Sequence, residues 1–362
     1  MKGTRIRLWK VFRISAGLLY VLVLMELYLR FFAPVAIMPR YVCENEYGIR
    51  GNVPNSRYWQ KTPECRVLIQ TNSKGLRADR EIPYKKTEGV YRIVVLGDSY
   101  GMGYEVNLED TFTSQLAGML EEAGWKTEIV NLSVSGHGNA EEYIMLTGEG
   151  FQYEPDLVLL QWHSTDLLDN VRSGLFALQD GVLVRRNQSY LPGIAVSRIL
   201  YRIPGYRFLS ENSQLYSFIR EWTAMKIKDL LAFWRGRKAV SEEDETLRSE
   251  AVRRYREELT AALLAKMQEE CRQRNIPFLV LDIPRVYGRT EFRSVFPMER
   301  VSSLQLDYYS PIQDFLRYAG RKLFTEKGHF HLTPLGCRIV ARGLADYILA
   351  KQWPQQRREL SQ

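Results

Sequence analysis

Ser99 closes the run Arg92-Ile-Val-Val-Leu-Gly-Asp-Ser99, a compact β-branched stretch ending in small, turn-forming residues. In an open α/β sheet the crevice for ligands lies beyond the carboxyl ends of the strands. A serine there can point into the crevice, with neighbouring backbone amides available to hold a developing oxyanion. Gly101 and Gly103 allow tight backbone beside it. Gly97-Asp98-Ser99 also satisfies the preferences of a plain turn and helix N-cap, so the serine counts as a nucleophile only with a base beside it. The chain has four histidines: His137, His163, His329 and His331. The last two precede Thr333-Pro-Leu-Gly336 and a predicted final helix, on a loop that a parallel sheet can bring over the end of its first strand.

Four blocks occur in order: Arg92-Ile-Val-Val-Leu-Gly-Asp-Ser-Tyr-Gly-Met-Gly103, Ile129-Val-Asn-Leu-Ser-Val-Ser-Gly136, Pro155-Asp-Leu-Val-Leu-Leu-Gln-Trp-His-Ser-Thr-Asp166 and His331-Leu-Thr-Pro-Leu-Gly-Cys-Arg-Ile-Val-Ala341. Together they resemble the SGNH hydrolase, or GDSL esterase, family over roughly residues 90–170 and 275–350. The resemblance implies a three-layer α/β/α fold with a parallel, flavodoxin-like sheet. It also implies attack of Ser99 on an ester carbonyl, a histidine base, and the amides of Ser99 and Gly136 as oxyanion donors. The chain departs from the family at two places. Thr165 stands where the family has asparagine, and a hydroxyl is a shorter, less directed donor than a carboxamide. The acid that the family places three residues before its histidine falls on Gly328 if His331 is the base. The register of Thr333 and Gly336 favours His331, whereas Glu326-Lys-Gly-His329 keeps the acid spacing and leaves His329 open. Asp166, Asp169 or Asp282 could supply the acid from another loop. His137 and His163 are expected as polar walls of the crevice.

These residues need a scaffold. Apolar runs at 92–96, 127–132, 156–161 and 278–283 alternate with helical patterns, the mark of βαβ units around a buried parallel sheet. The expected organisation is a basic segment and membrane anchor at 1–38, an irregular connecting segment at 39–90 with a short strand at Arg66–Gln70, the α/β domain at 91–352, and a polar tail at 353–362. Residues 171–250 form an aromatic and basic insert, a candidate lid or membrane-contacting cap with an amphipathic helix over Ser213–Arg235. Its large aromatics are expected to be core. A charged hinge at 241–246 should precede a long helix to about Arg274.

The formal net charge is +8, much of it at the chain ends and on predicted helices, and no zinc-finger spacing or basic region feeding heptads accompanies it. No nucleic-acid partner, cofactor or metal is expected. Lys2, Arg5, Arg7, Lys10 and Arg13 run into an apolar stretch broken only by Glu26 and Arg30. This reads as an uncleaved single-pass anchor in the inner membrane, its basic flank in the cytoplasm and the domain in the periplasm or outside. Cys43 and Cys65 could pair in such a compartment, or all four cysteines could be free. The expected function is a membrane-anchored serine esterase acting on acyl esters through an acyl-serine intermediate, with O-acetyl groups of an envelope glycan as a candidate substrate. An O-acyltransferase, or a non-catalytic glycan-binding or assembly protein of the envelope, are the alternatives.

Overall fold

The computed structural model describes residues 2–39, 41–239 and 245–353. All of the expected polar tail except Trp353, and positions 241–244 of the charged hinge, lie outside the described residues. The chain opens with α1 (Lys2–Phe31). Two antiparallel pairs follow, β1 (Val42–Glu44) with β2 (Arg50–Asn52) and β3 (Arg57–Lys61) with β4 (Arg66–Gln70). The core then runs through β5 (Tyr91–Leu96), α2 (Ser99–Met102), α3 (Phe112–Glu122), β6 (Thr127–Asn131), α4 (Asn139–Gly148), β7 (Leu157–His163) and α5 (Asp166–Ser173). The insert holds a hairpin of β8 (Phe176–Gln179) and β9 (Val182–Arg185), then α6 (Ile194–Leu200), α7 (Tyr206–Asn212) and α8 (Gln214–Ala239). From α9 (Glu245–Gln273) the chain returns to the sheet through β10 (Phe278–Ile283). The short pair β11 (Arg285–Val286) and β12 (Phe292–Arg293), α10 (Met298–Val301), β13 (Asp307–Tyr309), α11 (Ile312–Leu316) and α12 (Pro334–Ala350) complete the described strands and α-helices.

Five strands pair in parallel in the order β13-β10-β7-β5-β6. The chain moves from β5 to one side, then crosses back to β7 on the other, which is the flavodoxin-like order and opens a crevice at the carboxyl ends of β5 and β7. Every residue of β5 and β7 is buried, and their side chains alternate between two layers. Ile93, Val95, Leu157 and Leu159 meet Phe112 and Leu116 of α3 and Leu344 of α12. Val94, Leu96, Val158 and Leu160 meet Ile144 of α4, Val171 of α5 and Leu263 of α9. Each such side chain contributes roughly 1.5–3 kcal/mol on burial, so both faces of the sheet are committed to packing and only its edge is left for chemistry.

Two regions differ from the sequence expectation. The helix of the first segment ends at Phe31, because Pro34 cannot continue it, and Ile37 instead bridges to Lys61. Met38 is buried with Tyr58, Met102 and Tyr104, so residue 38 packs with the α/β domain and not with α1. Within α1, Trp9–Phe31 is 23 residues long with mean hydropathy 1.7 and no buried residue in its most apolar window, long and apolar enough to cross a membrane. In the insert the aromatics are largely exposed, with Phe208 at 74%, Trp234 at 56% and Trp222 at 55% of full exposure, while Tyr206 is buried. All four cysteines are free; the Cys43 thiol faces Asn52 O and the Cys65 thiol faces Thr62.

Candidate active site

The turn that carries Ser99 is held by the strands on either side of it. Asp98 caps α2, accepting from the Tyr100 amide at 2.8 Å, which leaves Ser99 as the first helical residue. Gln161, in β7, accepts from the amides of Asp98 at 3.1 Å and Gly101 at 2.8 Å. Asn131, at the end of β6, donates to Gly101 O at 2.8 Å. The amide of a first helical residue has no partner within its helix, so the Ser99 N–H is not consumed by α2.

His331 reaches this turn from the loop before α12. Its Nε2 lies 2.8 Å from Ser99 Oγ, and its Nδ1 lies 2.9 Å from Oε2 of Glu105. The imidazole is only 4% exposed, with the Tyr100 and Tyr104 rings centred 5.0 and 5.5 Å away. Glu105, which sequence reasoning missed, is the carboxylate behind the histidine. Its Oε2 also accepts from Thr325 Oγ1 at 2.8 Å and from the His329 amide at 3.0 Å. Burial pushes its pKa up, but the His331 hydrogen bond and charge, with the His329 amide and Thr325, outweigh burial and hold it below the usual carboxylate value. The residue adopts a left-handed backbone, φ 64°, uncommon for a side chain of this size.

Gly328 now has a physical account. A methyl group built on its Cα would overlap Glu105 Oε1, so the glutamate carboxylate fills the space in which an acid at position 328 would begin. A carboxylate reaches the same space instead from the loop after α2. Glu326 is turned away to the surface, where Arg289 Nε donates to it at 2.6 Å. The His329 ring is centred 6.2 Å from that of His331, and what His329 gives the site is its backbone amide. Asp169 pairs with Arg172 and Asp282 accepts from Tyr308, so neither approaches His331 through these bonds.

The segment 39–90, expected to be irregular, braces the loops around Ser99 and Glu105. Arg77 is 4% exposed and donates to Met102 O, Gly103 O and Val106 O, clasping the loop that carries Glu105. Gln60 accepts from the Glu105 amide at 3.3 Å. Arg50 donates to Ser135 O and lies against Gly136, whose φ of 79° needs glycine and whose missing Cβ leaves room for the guanidinium. A signal for Glu105 was present only as a carboxylate six residues after Ser99; nothing in its spacing marked it.

Thr165 is exposed at the rim, its hydroxyl 3.0 Å from His163 Nδ1 and 3.4 Å from Asp98 Oδ2. His137 and His163 are held neutral, both down to about 3. Burial and then the Arg50 charge act on the first, and burial, Arg285 and His331 on the second. Below the turn lies a buried acidic floor. Burial pushes Asp98 up to about 6 and Glu141 up to about 7, and raises Glu142 and Asp166 well above the ordinary range. Among the described residues, no group of three or more His, Cys, Asp or Glu is placed to hold a metal ion.

No family profile matches the chain. One curated relative, an arylesterase of Vibrio mimicus, is 33% identical over 75 residues, and the match covers 21% of this chain and 38% of the relative. Solved structures also resemble it. A protein from Desulfitobacterium hafniense described as lipolytic and of the G-D-S-L family aligns over 71% of this chain and 99% of its own, at 10% identity and TM-score 0.37. An acetyl xylan esterase aligns over 71% and 99%, at 12% identity and TM-score 0.39. A psychrotrophic esterase of Pseudoalteromonas aligns over 73% and 98%, at 14% identity and TM-score 0.37.

Proposed function

We propose that the protein is a membrane-tethered serine esterase of the SGNH kind. The observation that carries this reading is the continuous relay from Ser99 Oγ through His331 to Glu105, with 2.8 and 2.9 Å separations. In the neutral imidazole, Nδ1–H donates to Glu105 and Nε2 accepts the Ser99 proton as Oγ attacks an ester carbonyl. The amides of Ser99 and Gly136 receive the oxyanion; losing one such donor typically costs ~3 kcal/mol of transition-state stabilisation. His331 then returns the proton to the leaving alcohol, and water, activated by the same imidazole, releases the acid from acyl-Ser99. Because the Thr165 hydroxyl is engaged by His163 and Asp98, it is not assigned to the oxyanion.

The tether is α1, its basic end in the cytoplasm and the domain on the outer face. Met38, seven residues beyond the end of α1, packs against the loop that carries Glu105, so the chemistry sits within roughly 25 Å of chain from the membrane surface. Acyl esters displayed near that surface, including O-acetyl groups on envelope glycans, are the substrates to test first. An acyltransferase would use the same acyl-Ser99 with an alcohol acceptor in place of water. The non-catalytic alternative loses part of its motive, since Gly328 accommodates an acid and does not mark the loss of one. The test is hydrolysis of p-nitrophenyl acetate by the full chain in detergent. Ser99→Ala is expected to lose at least about 10³-fold in kcat/KM, and equal rates would remove Ser99 from the mechanism.

A further inference from the structure

Helix α8 is packed with its apolar side outward. Ser217 is fully buried and Ala224, Arg220 and Glu221 are half-buried against the body. Phe218, Ile219, Trp222, Met225, Leu230 and Phe233 are exposed within an arc of about 140° on the opposite side, which Lys226 and Asp229 share, and Ile227, Leu231 and Trp234 are exposed beyond it. Val196, Ile199, Phe208 and Leu209 of α6 and α7 are exposed as well. So many exposed aromatic and aliphatic side chains on one helix of a folded chain mark a surface that something covers.

The position of the face says what covers it. Glu26, the one carboxylate inside the apolar run of α1, accepts from Ser213 Oγ at 2.8 Å and from the amides of Gln214 and Leu215 at 3.1 and 2.9 Å. It therefore caps α8, and the residue that interrupts the anchor in sequence joins the anchor to the insert. Arg30 bonds Glu26 at 2.8 Å and donates to Asn212 O at 2.7 Å, at the end of α7. The α7–α8 junction thus lies within about 8 Å, five residues of helix rise, of the end of α1. Beside it opens a cleft of about 320 Å³ lined by Arg30, Pro34, Lys61, Asn212 and Gln214, cationic at the level where a span meets lipid phosphates.

We infer that α7 and α8 form a second membrane contact, an interfacial strap lying in the outer leaflet beside α1. Its aromatic face enters the acyl region and Arg30 and Lys61 face the phosphates. Aromatic side chains over an apolar face, flanked by basic residues, are the composition of an interfacial helix. The strap rests on the reading of α1 as a membrane span, and it would fix the catalytic crevice at a set height and tilt over the lipid.

The test uses the full chain in vesicles of phosphatidylcholine and phosphatidylglycerol. In a Cys43→Ser, Cys65→Ser background, where Cys271 and Cys337 are buried, a nitroxide is placed at Trp222→Cys, at Leu19→Cys in α1, or at the exposed Glu121→Cys. Collision with oxygen and with a water-soluble nickel complex is then measured. The strap requires that the Trp222 label gain oxygen collisions and lose nickel collisions relative to Glu121, as the Leu19 label does. A Trp222 label open to nickel beside a membrane-embedded Leu19 label overturns the strap and leaves the anchor standing. A Trp222 label shielded from both reagents means that protein covers the face, which also overturns it. A Leu19 label open to nickel overturns the anchor, and the strap with it.

Discussion

The sheet edge that holds Ser99 and the insert that holds α8 use amphipathic elements with opposite sign. Around β5 and β7 the apolar side chains are buried on both faces, and polar groups gather only where the strands end. In α8 Ser217, Arg220 and Ala224 face the body, while Phe218, Trp222, Phe233 and Trp234 face out. An α/β domain explains the first arrangement alone. The interfacial strap proposed above would account for the second, since a folded chain gains nothing by exposing Trp222, Phe233 and Trp234 to water. Hydrophobic pattern reports which residues pack together, and the solvent on the other side has to be argued from position.

The sharpest way to break the catalytic half of this comparison is to move the acid. Glu105→Gly suits the left-handed backbone but removes the carboxylate, and should lower kcat/KM by at least about 10²-fold. Gly328→Asp alone places a second carboxylate against Glu105 and should unfold the site or the protein. The double variant Glu105→Gly/Gly328→Asp returns the acid to the family position and should recover activity about tenfold over Glu105→Gly. Failure to recover, with both variants folded by circular dichroism, would mean that the two positions do not share one space.

The packing contrast can be read with one residue type. Trp162 is fully buried on the sheet and Trp222 is exposed on α8. Trp162→Ala should cost about 3–5 kcal/mol in chemical denaturation in detergent, and Trp222→Ala no more than about 0.5 kcal/mol. A large cost at Trp222 would show that α8 is part of the core. The smallest effect concerns the acidic floor. Burial, working against the Tyr100 amide, raises Asp98 from the ordinary 3.8 to about 6, so the folded state holds this proton longer than the unfolded chain. Its share of stability is present below about pH 4 and is lost as pH rises towards 6. Asp98→Asn, which keeps the cap, should therefore make the melting temperature fall less steeply between pH 4 and 6. An unchanged slope would place the titration on Glu141, Glu142 or Asp166.

Much of the fold was legible because buried strands and long helices announce themselves by period. The runs at 92–96, 127–132, 156–161 and 278–283 became four of the five sheet strands, and Arg66–Gln70 is a strand with those bounds. Ser99 and His331 were legible because local motifs fix them. Glu105 was not, because a carboxylate that meets an imidazole across the fold is set by space and not by its neighbours in sequence. Arg50, Gln60 and Arg77 were hidden for the same reason: each acts at a distance, through one or more backbone carbonyls or an amide of a loop far along the chain. Segment 39–90 looked irregular because its strands are three to five residues long, too short for an alternation to show. The α8 aromatics were expected inside because large aromatics usually are, and no local signal set the exposed ones apart.

The claim on which the rest depends is that Glu105 orients His331 towards Ser99. It is tested most directly by the rate at which a fluorophosphonate labels Ser99 in the full chain carrying Glu105→Gln or Glu326→Gln. Labelling slowed on the order of 10²-fold or more by Glu105→Gln and unchanged by Glu326→Gln is the expected result. Labelling that survives Glu105→Gln and fails in Glu326→Gln would contradict the account.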